Sequence, residues 1–234
     1  MKQFKIRCSA IGKIMTDPKT MADRAAGVLS KTAQSYCDQW IKEQIYNRQH
    51  EFYSKYTEKG NFVEAESIEV IAERLGFPFL IKNTEQFENE YFTGEPDVLP
   101  PNSNLVIDAK NSWDWSTFPL LEEALPNSDY RWQMQGYMSL TERSQAMICY
   151  VLSDTPEHLI NMAAWSYVRS LGADEMDIDI YDSFAKKMTY PDIPARLKFK
   201  SFEVARDEDA ILRIEQRVLQ CRAYIDNKMK QIKQ

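Results

Sequence analysis

The sequence predicts a mixed α/β (α+β) domain, with a central mixed sheet flanked by helices. Three observations carry this. Segments of helical periodicity alternate with short apolar runs of strand length. Glycine and proline are sparse, 7 and 10 residues, and punctuate those segments. A chain that is 44% hydrophobic and 12% aromatic can bury a sizeable core, which excludes disorder as its main state. No repeat, low-complexity tract or long linker interrupts it, so residues 1–234 read as one domain.

The elements follow in order. Residues 4–6 read as a short strand, with a helical turn from Ser9. Ser30 has the position of an N-cap for a helix running to about Gln49, with Tyr36, Trp40 and Ile41 among its apolar positions. A third helix covers residues 59–75 and stops at Gly76. Residues 79–81 and 87–92 are strand-like and lead into Gly-Glu-Pro-Asp-Val-Leu over 94–99. Pro-Pro-Asn-Ser-Asn at 100–104 is a turn signal. It joins that segment to Leu-Val-Ile-Asp-Ala-Lys over 105–110 as a β-hairpin with a longer loop. A helix over 129–140 and a buried strand over 146–152 come next. Thr155-Pro156-Glu157 combines an N-cap, a first-turn proline and an acid, and that helix should stop at Gly172. A short helix over 178–188, an alternating strand over 197–204 and a long helix over 207–230 complete the chain.

Composition excludes several classes. The longest apolar runs, such as 146–152, are far too short to span a bilayer, and no apolar signal segment opens the chain. Cys8, Cys37, Cys149 and Cys221 are widely spaced and form no CxxC pair, so reduced thiols in a cytoplasmic protein are expected. His50 and His158 fit no metal spacing. The net charge of −6 argues against nucleic acid as a partner, but it averages unlike parts. Residues 1–50 carry nine basic and four acidic side chains, and residues 196–234 carry ten and six. The middle, 51–195, carries ten and 25. The question is whether some of those carboxylates face inward.

Glu64 shares a helix face with Ile68, Ile71 and Leu75, while Glu66, Glu69 and Glu73 fall opposite. A carboxylate on the apolar stripe needs a lysine, an arginine or a metal ion, because burying it alone is costly. Gly60, one turn earlier on the same face, would let a partner approach closely. The plainer reading puts Glu64 at an exposed first turn, where it favours the helix dipole. Asp108 and Lys110 alternate with Ala109 on a strand, so they project together, with Val106, about 6.6 Å apart at Cα. A carboxylate and an amine so placed can serve one phosphate; an exposed ion pair is the alternative. Asp97 enters the hairpin with ten residues between it and Asp108 and reaches the same end of the sheet, or is a turn residue. Gln133 and Tyr137 share a face of the next helix with Leu140, and Arg131 and Gln135 lie on the other side. An inward glutamine needs a polar partner, which backbone groups can also supply. Oxygen ligands of this kind suit Mg²⁺ or Mn²⁺ rather than zinc.

Pro96-Asp97, ten residues, then Asp108-Ala109-Lys110 resembles the PD-(D/E)xK nuclease signature. Gly60 to Glu64 resembles the upstream G-x-x-x-E motif of phage lambda exonuclease and its relatives, and Gln133 to Tyr137 the Q-x-x-x-Y motif of RecB-type nucleases. Ile-Arg-Cys-Ser-Ala-Ile-Gly-Lys-Ile-Met over 6–15 is similar to the start of many phage exonucleases. The resemblance covers about residues 5–152 and implies a restriction-endonuclease-like core, with residues 153–234 as additions. It implies Asp97 and Asp108 as principal metal ligands, assisted by the Ala109 carbonyl, with Glu64 acting directly or through water. Lys110 would orient or deprotonate the nucleophilic water, Gln133 would help place it, and Tyr137 would support the site. Arg7 and Ser9 lie where relatives begin a 5′-phosphate pocket. The implied activity is Mg²⁺-dependent 5′-to-3′ exonuclease action on double-stranded DNA ends, with Mn²⁺ as a substitute metal. The implied setting is phage-type recombination in a bacterial or phage-infected cell, with a single-strand annealing protein as partner and a homo-oligomer, a trimer in relatives.

Trp113, Trp115 and Phe118 follow the site strand and could stack on bases or pack the core. Arg213, Arg217, Arg222, Lys228 and Lys230 of the last helix could track phosphates or be plain surface charge. Two rival functions remain open from sequence: an endonuclease of the same fold, and a non-catalytic DNA-binding protein with an inactivated site.

Overall fold

The computed structural model describes residues 2–50 and 54–232. Strand β1 (Ile6–Arg7) leads through a 3-10 turn into α1 (Ile11–Ile14), α2 (Met21–Ala25) and α3 (Lys31–Tyr46). Helix α4 (Lys55–Leu75) precedes β2 (Phe87–Glu88), β3 (Phe92–Gly94) and β4 (Leu105–Asn111). Then come α5 (Ser128–Thr141), β5 (Gln145–Val151), α6 (Glu157–Ser170), α7 (Ile178–Met188), β6 (Phe199–Ala205) and α8 (Glu208–Ile232).

Local chemistry explains where helices begin and end. Ser30 caps α3 by accepting from the Ala33 N–H at 3.0 Å. That helix ends at Asn47, which takes the left-handed conformation (φ 49°), two residues short of the expected end. Helix α4 starts one turn earlier than expected, because Ser54 caps it through the Thr57 N–H. Helix α2 was not expected; Thr20 caps it and donates to Asp23 in return. At α6 the cap is Pro156 without a side-chain bond, and Thr155 does not cap it.

The expected mixed sheet flanked by helices is present, divided into two three-stranded mixed sheets ordered β1-β3-β2 and β4-β5-β6. In each, one pair is parallel and one antiparallel. Val98 lies against the second sheet, with one isolated bridge to Ile107 of β4 and another to Lys82 on its other side. Pro96, Pro100 and Pro101 flank Val98, and residues without an N–H cannot extend a ladder, so the expected hairpin shrinks to that bridge. The strand expected at 79–81 is absent: Phe79 and Ile81 are exposed, and only Lys82 makes a bridge.

Alternation along β4 and β5 divides the core in two. Val106, Ala146, Ile148 and Tyr150 face a cluster built with β1, α1, α3, α5 and α8. Ile107, Cys149 and Val151 face a second cluster with Ile68 and Ile71 of α4. Strand β6 is the third strand of the β4 sheet, so the late strand is part of the core architecture. Arg217 and Arg222 of α8 donate to the Thr16, Phe4 and Glu90 carbonyls, which ties that helix to the N-terminal segment.

Gly94 answers to space. A Cβ on Gly94 would lie 2.8 Å from the Tyr137 ring and 2.9 Å from the Cys8 sulfur, both buried. By contrast, nothing lies within 4 Å of a Cβ built on Gly60, so the close approach expected there is not made. Gly94→Ala therefore lowers stability by about 1–3 kcal/mol through overpacking. Gly60→Ala, inside α4, raises it by about 0.5–1 kcal/mol. Denaturant melts of the two variants should move in opposite directions.

Candidate active site

The site forms where β4 passes Val98 and α5. Asp108 is 1% exposed and points with Lys110 to the α5 side of the sheet. Its Oδ1 accepts from Gln133 Nε2 at 2.9 Å. Its Oδ2 touches the Lys110 ammonium as an ion pair but has no partner in hydrogen-bonding geometry. Lys110 also lies 4.8 Å from the centre of the Tyr130 ring, a cation–π contact.

Asp97, half-buried, accepts the Ala109 N–H through Oδ2 at 2.7 Å. This one bond brings the second carboxylate alongside β4. The Ala109 carbonyl opens on the same edge, because Ile107 turns both its backbone groups toward Val98 and the pleat repeats every second residue. Gln133 Nε2 also approaches the Tyr137 hydroxyl at 3.2 Å, which in turn donates to the Glu95 carbonyl at 3.1 Å. Asp97, Asp108, Ala109, Lys110, Gln133 and Tyr137 thus form one connected group.

Glu64 makes no hydrogen bond to that group, although its charge reaches Asp97 and helps to raise the Asp97 pKa. It is half-buried on α4, and its carboxylate pairs with Lys82, a residue the sequence reading did not single out. Glu64 does find a cation, as its place on the apolar stripe required, but that cation is a lysine. The one legible sign of Lys82 was its being a basic residue just past the end of α4. Gln135, on the opposite face of α5, is fully buried too; it donates to the Ala205 carbonyl and accepts from the Asp207 N–H. Of the aromatic trio, Phe118 is core, Trp113 is half-buried and Trp115 is exposed.

Arg7 and Ser9 are exposed and line a separate cleft of about 1950 Å³ between the N-terminal segment and α3. Lys2, Lys5, Lys13 and Arg48 share its wall, against Glu43 and Glu88. The cleft connects to the carboxylates through β3: Arg7 is in register with Thr93, and Gly94 packs on Tyr137.

The electrostatics show a shortage of positive charge. Burial, then the neighbouring Asp108 charge, push Asp97 up to about 7, although Lys110 and the Ala109 N–H act the other way. Burial works against the Lys110 ammonium too, but Asp108 and Asp97 outweigh it and hold the group above its ordinary value. Burial and the Asp108 charge also raise Tyr137. The donor set is oxygen only, and one buried carboxylate oxygen lacks a hydrogen bond, so these residues fit a hard divalent cation. Among the described residues no three of His, Cys, Asp and Glu converge as a metal cage. Two carboxylates and a carbonyl leave the remaining positions to water and substrate oxygens, the arrangement magnesium favours.

Two carboxylates and a lysine beside a mixed sheet, backed by glutamine and tyrosine from the next helix, define a PD-(D/E)xK nuclease. A phage-related exonuclease of Haemophilus somnus 129PT is 31% identical to this chain, with a TM-score of 0.80 over 99% of this chain and 97% of that one. The chain belongs to this family of phage-related exonucleases. An alkaline exonuclease of Laribacter hongkongensis shares the fold at 15% identity, TM-score 0.67, over 98% of this chain and 91% of its own. The same protein has been seen in complex with dAMP. No family model matches the chain, and no curated protein matches it either. No helix among the described residues is long and apolar enough to cross a membrane.

Asp97 generates a pH prediction. Its native pKa lies above the ordinary carboxylate value of 3.8, so the native state binds more protons than the unfolded state between about pH 4 and 7. Without divalent metal, its contribution to stability falls as pH rises through that window. Asp97→Asn should melt above the native protein at pH 8 in chelator, and the gap should close toward pH 4.

Proposed function

We propose that the protein is a magnesium-dependent exonuclease that degrades double-stranded DNA from the 5′ end, and that Mn²⁺ can replace Mg²⁺. The observation that carries this is the convergence of Asp97, Asp108 and Lys110 on the Ala109 edge of β4, with Gln133 fixing the inner carboxylate. Family membership supports the exonuclease reading over an endonuclease. The full set of charged groups speaks against an inactivated binding protein.

A magnesium ion, when bound, supplies the electrophile that activates water and offsets charge on the phosphate. Asp97, Asp108 and the Ala109 carbonyl would hold it. Lys110 starts as an ammonium; it orients the attacking water and stabilises negative charge on the non-bridging oxygens. Gln133 keeps Asp108 from rotating, and Tyr137 keeps Gln133 in place through the Glu95 carbonyl. Glu64 enters only through water, or after Lys82 gives it up. Arg7 and Ser9 present a cation and a hydroxyl to a terminal 5′ phosphate at the cleft, whose basic wall suits a strand's phosphates. The product, a duplex with a 3′ single strand, is a substrate for an annealing protein in phage-type recombination. A homo-oligomer, a trimer as in relatives, would keep the enzyme on its DNA.

Digestion of linear and circular duplexes tests the reading. Linear DNA labelled at a 5′ end should release label with Mg²⁺ and not with chelator, while a covalently closed circle stays intact; cutting of the circle would make it an endonuclease. Lys110→Ala should lower the rate by about 10²–10⁴-fold with the fold retained, and Asp108→Ala should abolish metal-dependent cleavage. Arg7→Ala should erase any preference for phosphorylated ends and reduce the salt dependence of log KM by about 0.7–0.9.

A further inference from the structure

Lys59 is among the largest fully buried side chains of the described residues, and the one charged member of that group, at 1% exposure. Its ammonium donates to the Trp113 carbonyl at 2.8 Å. Among the described residues no carboxylate stands at ion-pair distance from it. The same tryptophan ring takes the Lys55 ammonium at 4.6 Å, the Lys59 ammonium at 6.0 Å, and Tyr56 edge-on at 5.2 Å. Three residues of the first turns of α4 therefore grip Trp113, three positions after Lys110.

A second grip lies two turns further along α4. Ser67 donates to Asn111 Oδ1 at 2.6 Å, and Ser153 donates to the same oxygen at 3.2 Å. Asn111 is the residue next to Lys110. The two anchor positions, 59 and 67, lie about 12 Å apart on the helix. They fall on one buried stripe with Val63 and Ile71, and Glu64 sits between them.

An apolar side chain would fill the space of Lys59 without the cost of dehydrating an ammonium. What the ammonium adds is direction: it bonds to one carbonyl and fixes the register of α4 on the exit of β4. Burial pulls its pKa down to about 8, partly opposed by Asp114 and Asp154.

We propose that Lys59 is a positioning residue for phosphodiester hydrolysis, which latches α4 to the Trp113 carbonyl and so sets Glu64 and Lys110 in register. This rests on the nuclease reading above. The test compares native protein, Lys59→Met and Lys59→Gln in magnesium-dependent digestion of linear duplex, with melting and amide exchange measured on the same samples. Lys59→Met should melt at or above the native temperature, show faster exchange over residues 112–118, and lose about 10–100-fold in kcat with KM within twofold. Lys59→Gln, which keeps a neutral donor, should lose less, and it carries the comparison with the native protein if the methionine variant does not fold. A folded variant with native kcat overturns the proposal, as does a loss confined to KM. Absence of cleavage by the native protein refutes the nuclease reading by itself. In that event exchange over 112–118 decides the latch, and unchanged exchange in the variants overturns it.

Discussion

Strand β4 is buried on both faces and still carries a carboxylate and an ammonium. The pleat sends Leu105, Ile107 and Ala109 into the cluster under α4, and Val106 and Asp108 toward α5. A carboxylate at 1% exposure must be compensated. Lys110 of the same strand and Gln133 of α5 supply the compensation, Tyr137 holds Gln133, and Asp97, a second carboxylate bonded to the Ala109 N–H, adds to the need. Tyr137 packs on Gly94, so the first sheet takes its position from the second through the site itself. The site is therefore part of what joins the two sheets.

The compensation is incomplete in a specific way. Lys82 occupies Glu64, Lys110 alone faces two carboxylates, and one oxygen of Asp108 is left without a hydrogen bond. The raised pKa of Asp97 expresses the same deficit as a proton the group is slow to release. A dication would remove it, and would reverse the field that now keeps Lys110 protonated. The acidic total of the chain and its fitness for DNA are then compatible. Acid collects where a cation is needed, while Lys2, Lys5, Arg7, Lys13 and Arg48 line the cleft.

Much of this was legible because periodicity and spacing are local. Asp108 and Lys110 had to share a strand face, Gln133 and Tyr137 a helix face, and Ser30 was a cap by its neighbours. What escaped depended on non-local or negative facts. Prolines around Val98 cut a hairpin down to one bridge, and the sequence around 105–110 reads as an ordinary strand partner. Glu64 was read as requiring a cation, but which cation depends on where the chain places Lys82 after α4 ends. A lysine in a helix reads as solvent-facing, so Lys59 went unnoticed; the stripe of 59, 63, 67 and 71 was the available sign.

Those residues also separate two kinds of precision in the fold. The apolar contacts of Ile68 and Ile71 with Ile107, Cys149 and Val151 set how closely α4 lies on the sheet. Such contacts are non-directional, and a helix can slide or turn slightly on them at little cost. The bond from Lys59 cannot follow such a slide, because it is aimed at one carbonyl on the segment leaving β4. The slide would also cost Ser67 its bond to Asn111 and leave it the Val63 carbonyl of its own helix. Chemistry at the phosphate is sensitive to displacements of about 1 Å. A helix that carries Glu64 past this strand therefore needs directional bonds as well as apolar packing, and in α4 the two share one buried surface.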